Sequence, residues 1–218
     1  MLSPRHKRKL CTRCRLILAL VISPAISFAQ PEKAPTKTVS PAADAASTYV
    51  NTEYHYRLSL PKGWVPIPEH ILAGANAELK RILGATAPTV LVLFWFQPGD
   101  LDKYSGPGVS VMHDFAMRGM SLNEILKAQS DFSHFAEISD RHASKAFIDS
   151  GKQMVIHAHS EEAQGVRMAG VDAYCPGKEV VVHLGINSRE SSYSTLRPAI
   201  RRILDGFEFA TGYGYEGK

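Results

Sequence analysis

Gln153-Met-Val-Ile-His-Ala-His-Ser160, Val166-Arg-Met-Ala-Gly-Val-Asp-Ala-Tyr-Cys175 and Glu179-Val-Val-Val-His-Leu-Gly-Ile-Asn187 follow one another with only brief breaks, and their reading decides the fold. Met154, Ile156 and Ala158 share one apolar face opposite His157 and His159, and Val180, Val182, Leu184 and Ile186 share one opposite His183. Period two marks strands with distinct faces. Gly151-Lys152, Gly165 and Pro176-Gly177 punctuate the segments, and 145–149 supplies one more strand before them. Short breaks of this kind join antiparallel neighbours, so the region reads as a four-strand meander. Pro then Gly in Cys175-Pro-Gly-Lys178 fits the centre of a type II turn.

Working outward, Tyr54, Tyr56, Leu58 and Leu60 alternate with His55, Arg57 and Ser59, a strand that Pro61-Lys-Gly-Trp64 ends in a turn. Ile71, Leu72, Ala75, Leu79, Ile82 and Leu83 form a stripe at helical spacing, with Pro68 suited to the first turn and Gly84 to the stop. Val90-Leu-Val-Leu-Phe-Trp-Phe96 is apolar throughout and reads as a central strand covered on both faces. Residues 101–108 form a Gly/Pro-rich loop before a strand over 109–115. Ser121-Leu-Asn-Glu124 is a capping box that starts a second helix, with Leu122, Ile125, Leu126, Phe132 and Phe135 along it. A third helix covers 192–204, with Pro198 tolerable only near its first turn and Gly206 as its stop. Phe207-Glu-Phe209 closes as a short strand. Strand, helix, strands, helix, four strands, helix is an α+β order, a single domain with an antiparallel sheet, not a doubly wound nucleotide fold.

The ends of the chain carry different information. Arg5, Lys7, Arg8, Lys9, Arg13 and Arg15 precede a 14-residue apolar stretch, Leu16 to Ala29, in which Ser27 and Ala29 suit a small-x-small cleavage site. These are the parts of a secretory signal peptide over 1–29. The stretch falls short of the roughly 20 residues that span a bilayer, and no twin arginine precedes it, so the general secretion route and a periplasmic or extracellular product are expected. No transmembrane segment then remains after cleavage. Cys11 and Cys14 would leave with the leader, and Cys175 would be the only remaining thiol, read as a strand-end thiol in a hairpin, with an intermolecular disulfide or a nucleophile as its sharper readings. Residues 30–48, rich in Pro, Ala and Thr, lack the apolar surface to offset ordering entropy and read as a disordered linker. The domain then spans 49–210 and 211–218 is a flexible tail.

The leader also holds six of the 25 Lys and Arg and none of the 21 Asp and Glu, so 19 basic residues face 21 acidic ones after cleavage. A formal charge of −2 gives no electrostatic footprint for nucleic acid.

Tyr56-Arg-Leu-Ser-Leu-Pro-Lys-Gly-Trp64, the apolar strand Val180-Val-Val-His-Leu184 at the end of the meander, and Ile203-Leu-Asp-Gly-Phe-Glu-Phe209 together resemble the PsbP/Mog-like superfamily over about 50–209. The resemblance implies an antiparallel sheet packed between helices, an α/β/α sandwich. It also implies a binding or assembly module without catalysis. Relatives serve as extrinsic subunits of photosynthetic complexes, as partners of a small GTPase, or as exported bacterial proteins. They share no set of site residues, so none is carried over.

His157 and His159 lie two apart on one strand and share a face opposite Met154, Ile156 and Ala158, so both are expected to project outward; His183 falls on the same side of its strand. Three such histidines invite zinc or copper. With 166–175 between them, His183 is two strand spacings away, about 9.6 Å at 4.8 Å each. That exceeds the reach of joint ligation through bonds of about 2 Å, and a helix over this face would make the three imidazoles buried hydrogen-bonders instead.

Arg197, Arg201 and Arg202 crowd the last helix near Arg189 and suit an acidic partner or lipid headgroups. His113-Asp114 would face opposite ways, Glu161-Glu162 reads as a solvated turn, and Asp140-Arg141-His142 as a polar loop. Gly106-Pro-Gly108 lacks the lysine of a phosphate loop, and no Gly-x-Ser-x-Gly elbow occurs. The expectation is an exported, non-catalytic domain that docks on an envelope protein partner, needing no cofactor; metal or small-ligand binding through the histidines is the alternative. A hydrolase without a recognisable motif is the remaining reading. The leader gives the first prediction: protein recovered from outside the cytoplasm begins at Gln30, as read from its intact mass, and retention of Cys11 and Cys14 in that mass would overturn it.

Overall fold

The computed structural model describes residues 47–83, 90–96, 107–130, 142–163 and 166–216. Expectations for 1–46, for most of the 101–108 loop and for Phe132, Phe135, Asp140 and Arg141 lie outside the described residues.

Ten strands and three helices are described. In chain order they are β1 (Ser47–Asn51), β2 (Tyr56–Leu60), β3 (Trp64–Pro66), α1 (Glu69–Leu83), β4 (Val90–Phe96), β5 (Gly108–Asp114), α2 (Leu122–Ser130), β6 (His142–Asp149), β7 (Met154–Ala163), β8 (Val166–Pro176), β9 (Val181–Arg189), α3 (Glu190–Asp205) and β10 (Phe207–Phe209). A seven-stranded sheet runs in the order β3-β4-β5-β9-β8-β7-β6, and a three-stranded sheet in the order β1-β2-β10. Every described pairing is antiparallel. The meander β6–β9 is as its alternation predicts. β5 pairs along the free edge of β9, and the apolar β4 sits second from the edge, between β3 and β5.

The two faces of the large sheet have different chemistry. On one, Val109, Val111, Met154, Ile156, Val171, Ala173, Cys175, Val182, Leu184 and Ile186 form a continuous apolar surface. Leu196, Ile200, Ile203 and Leu204 of α3, with Tyr56, Leu58 and Leu60 of β2 and Phe207 of β10, bury it. Fully burying side chains of this kind stabilises by roughly 1.5–3 kcal/mol each. On the other face α2 lies against β6 and β7, setting Leu122 and Ile125 on Val155, Tyr174 and Val181. Its start is the expected capping box: Ser121 Oγ accepts from the Glu124 amide at 3.2 Å, and Glu124 Oε2 accepts from the Ser121 amide at 2.8 Å.

Four local expectations change. β1 begins at Ser47, inside the stretch read as linker, because Tyr49 and Val50 pair with Leu58 and Arg57. Residues 211–216 lie against the domain: Gly177 bridges Gly214, the Lys178 amide donates to the Tyr213 carbonyl at 3.0 Å, and the Tyr213 ring sits on His55. The β8–β9 turn falls at Gly177–Val180, later than Pro176-Gly177 predicts, because Pro176 is still paired with Val181 and the Gly177 amide donates to the Val180 carbonyl at 2.8 Å. α3 starts at Glu190, so Pro198 lies in its interior. Pro198 and Ser194 are both exposed, which leaves the carbonyl that lost its donor on the solvent side.

Two glycines are fixed by geometry. Gly63 has φ +91°, which the Pro61-Lys-Gly-Trp64 turn requires and other residues resist. Gly206 ends α3 against β2: a Cβ there would lie 2.4 Å from the Ser59 carbonyl oxygen, whose own amide donates to the Gly206 carbonyl at 2.9 Å. Gly206→Ala is therefore expected to destabilise the domain by about 1–3 kcal/mol through overpacking, read as a lower urea midpoint at unchanged slope.

Candidate functional site

Asp172 stands at the middle of β8, paired with His157 on β7 and with Gly185 on β9. Paired residues share a face, so Asp172 joins the histidine side of the sheet. His183 Nε2 lies 3.0 Å from Asp172 Oδ1. On the other side, His159 Nδ1 is 3.5 Å and His157 Nδ1 3.9 Å from Asp172 Oδ2. The His157 and His159 rings stack with centroids 5.6 Å apart, and His183 lies on Tyr174 at 4.5 Å and 8°.

All four side chains are buried; Asp172 and His157 are each 2% exposed. This corrects the expectation that the histidines project outward. The covered face, the other arrangement the spacing allows, is the one present: the polar groups pair among themselves beneath a cover to which α2 contributes. Burial pushes the Asp172 carboxyl up, but His159, His157 and His183 push it down harder, and the net result lies well below the usual carboxylate range. The site is a buried anion ringed by three imidazoles.

His157, His159 and His183 thus converge, as their shared face predicts, but through a residue that sequence reading did not single out. The signal was present: Asp172 has the parity opposite to Val171, Ala173 and Cys175, which puts it on the histidine face. β8 lies between β7 and β9 and keeps His183 two strand spacings from His157 and His159. Asp172 fills the gap.

The remaining candidates are separate. Arg197, Arg201 and Arg202 are exposed on α3; Arg201 Nε lies 3.5 Å from Asp205, and Arg202 Nε donates to the Pro198 carbonyl at 3.3 Å. Cys175 is free and buried in the apolar core, which raises its thiol pKa and removes it from any bond between chains. Glu162 is exposed, as expected, but on the extended β7 rather than in a turn. Asp114 Oδ1 accepts from the Ala116 and Met117 amides. His113 points into the core, where its Nε2 lies 3.1 Å from the Tyr56 hydroxyl, so the two neighbours do face opposite ways.

A seven-stranded antiparallel sheet between α2 on one side and α3 with a small sheet on the other is a PsbP-like α+β fold. The structure is similar to that of cyanobacterial PsbP (CyanoP) from Synechocystis, with a TM-score of 0.51, 13% identity, and 81% of this chain and 98% of that one covered. LpqN of Mycobacterium tuberculosis, described as involved in cell envelope biogenesis, matches with a TM-score of 0.46 at 13% identity over 76% of this chain and 91% of that one. A Pseudomonas aeruginosa protein of unknown function, described as a putative regulator, matches at 0.37 with 10% identity over 72% and 92%. No family model matches the sequence, and no curated protein matches it. Among the described residues no helix is long and apolar enough to cross a membrane.

Two buried groups set opposite ends of the acid response. Burial lowers the His113 pKa from 6.5 to about 4, so the unfolded chain takes up that proton first, and stability falls as pH drops through this window. Asp172 is depressed below 3.8, so its contribution is lost only at lower pH. His113→Gln, which cannot titrate but keeps an acceptor for Tyr56, is expected to flatten the first limb alone in urea melts taken across pH; an unchanged slope between pH 6.5 and 4 would refute the assignment.

Proposed function

We propose that this chain is an exported, non-catalytic binding domain of the cell envelope that acts by docking on a protein partner. The observation that carries the reading is the likeness to cyanobacterial PsbP, which runs over 98% of that protein. The leader over 1–29 supports export.

Docking is assigned to the exposed side of α3. Leu196, Ile200 and Ile203 hold the helix to the sheet, so its outer side is rigidly presented. Arg197, Arg201 and Arg202 lie there with Arg189 just before them. Guanidinium groups recognise carboxylates through paired, planar hydrogen bonds, so the partner presents an acidic surface.

Gentle purification from the native envelope followed by native mass spectrometry is expected to show a heavier species containing a second chain. Arg197→Glu with Arg201→Glu should abolish that species while leaving the melting temperature within the range of ordinary surface changes. A bare monomer that also yields no crosslinked partner in cells would sink the docking reading.

A further inference from the structure

We propose that His157 Nδ1, His159 Nδ1 and Asp172 Oδ2 form a binding site for one divalent first-row transition ion, with His183 holding the other carboxylate oxygen in place. This goes beyond the docking reading and does not depend on it.

The three histidines approach the carboxylate at different distances. His183 Nε2 is 3.0 Å from Asp172 Oδ1, a hydrogen-bond length. The Nδ1 atoms of His159 and His157 are 3.5 and 3.9 Å from Oδ2, beyond the usual 2.7–3.2 Å for N–H···O. Bonds of about 2.0–2.2 Å in a tetrahedron keep neighbouring ligands about 3.3–3.6 Å apart; the His159 spacing falls in that range and the His157 spacing lies just above it. One ligand atom from each of the three residues lies within 4.8 Å of the other two, so closure requires about 1 Å of movement at the widest pair.

Two glycines border the cluster. Gly185 is the β9 partner of Asp172, and Gly170 the β8 partner of His159, so no side chain rises from the sheet at either place. Asn187, the β9 partner of Gly170, leans over it: a Cβ on Gly170 would lie 2.2 Å from Asn187 Oδ1. A further polar atom therefore stands on the same face. Two imidazole nitrogens and one carboxylate oxygen suit zinc, iron(II) or cobalt(II) rather than calcium or magnesium, which take oxygen ligands. Cys175, the thiolate source that copper(I) would favour, is on the opposite face. Three protein ligands leave a fourth position open.

The site differs from the trio of histidines read from the sequence. Asp172 replaces His183 as the third ligand, because β8 lies between β7 and β9. His183 becomes a positioning residue that fixes which carboxylate oxygen is presented.

The test is titration of the chelator-stripped chain with zinc by calorimetry, and with cobalt(II) followed by visible ligand-field bands. One equivalent of each is expected to bind, with the zinc-loaded protein melting higher as zinc concentration rises. Asp172→Asn and His159→Ala should each lose saturable binding and the cobalt bands. His183→Ala should weaken zinc about 10–100-fold while keeping one equivalent. His70→Ala, at an exposed position away from the cluster, should bind as the unaltered chain does. If the site variants do not fold, the zinc-dependent melting shift and cobalt spectrum of the unaltered chain decide. No saturable uptake by the folded chain, or uptake that persists in Asp172→Asn, would overturn the proposal, the latter assigning it to surface histidines.

Discussion

The burial of one apolar sheet face beneath α3 and β2 is the contact on which the rest of this molecule depends. Val111, Val171 and Leu184 on the sheet meet Leu58, Ile200 and Ile203 across it. That contact uses up the apolar side of β5, β9, β8 and β7. His113 meets the Tyr56 hydroxyl in the core, whereas His157, His159, Asp172 and His183 go to the other side, and there they are also covered. The fold therefore has to satisfy polar groups internally, and it does so by gathering them around one carboxylate.

Much of this was legible in residue spacing. The β6–β9 meander follows from period two and short breaks, because hairpin neighbours are set by local geometry. β2 follows from Tyr56, Leu58 and Leu60, and the start of α2 from Ser121 and Glu124. Pairing of β5 with β9 was not legible, since nothing local in Gly108–Asp114 names a partner more than sixty residues away. β1 was missed because Ser47–Asn51 is short and half-exposed, and its order comes from β2 rather than from its own composition. The start of α3 was placed too late because a proline inside a helix is costly; the cost is moderated where Pro198 and Ser194 face solvent.

The histidine face shows where alternation stops being informative. Parity states which side of a sheet a residue occupies, not whether water reaches that side. Alternation places His157, His159 and His183 on the correct side but leaves both an outward and a covered environment open. Once the face is covered, an isolated ionised carboxylate there would be untenable. Asp172 is retained because three imidazoles converge on it, each from a neighbouring strand. A buried cluster of this kind is exacting, since loss of one member leaves the others in a low dielectric without their complement.

The small sheet has a consequence for how the chain reaches this state. β2, near the start of the domain, pairs on one side with β1 and on the other with β10, where Leu58 meets Phe207. Its apolar face also needs α3. Contacts of such long sequence separation form slowly, because loop closure comes before any compensating contact. No amino-terminal portion can complete its core until residues up to 209 are available. The core of the nascent domain therefore stays incomplete until the chain is nearly finished, even where β6–β9 have already paired.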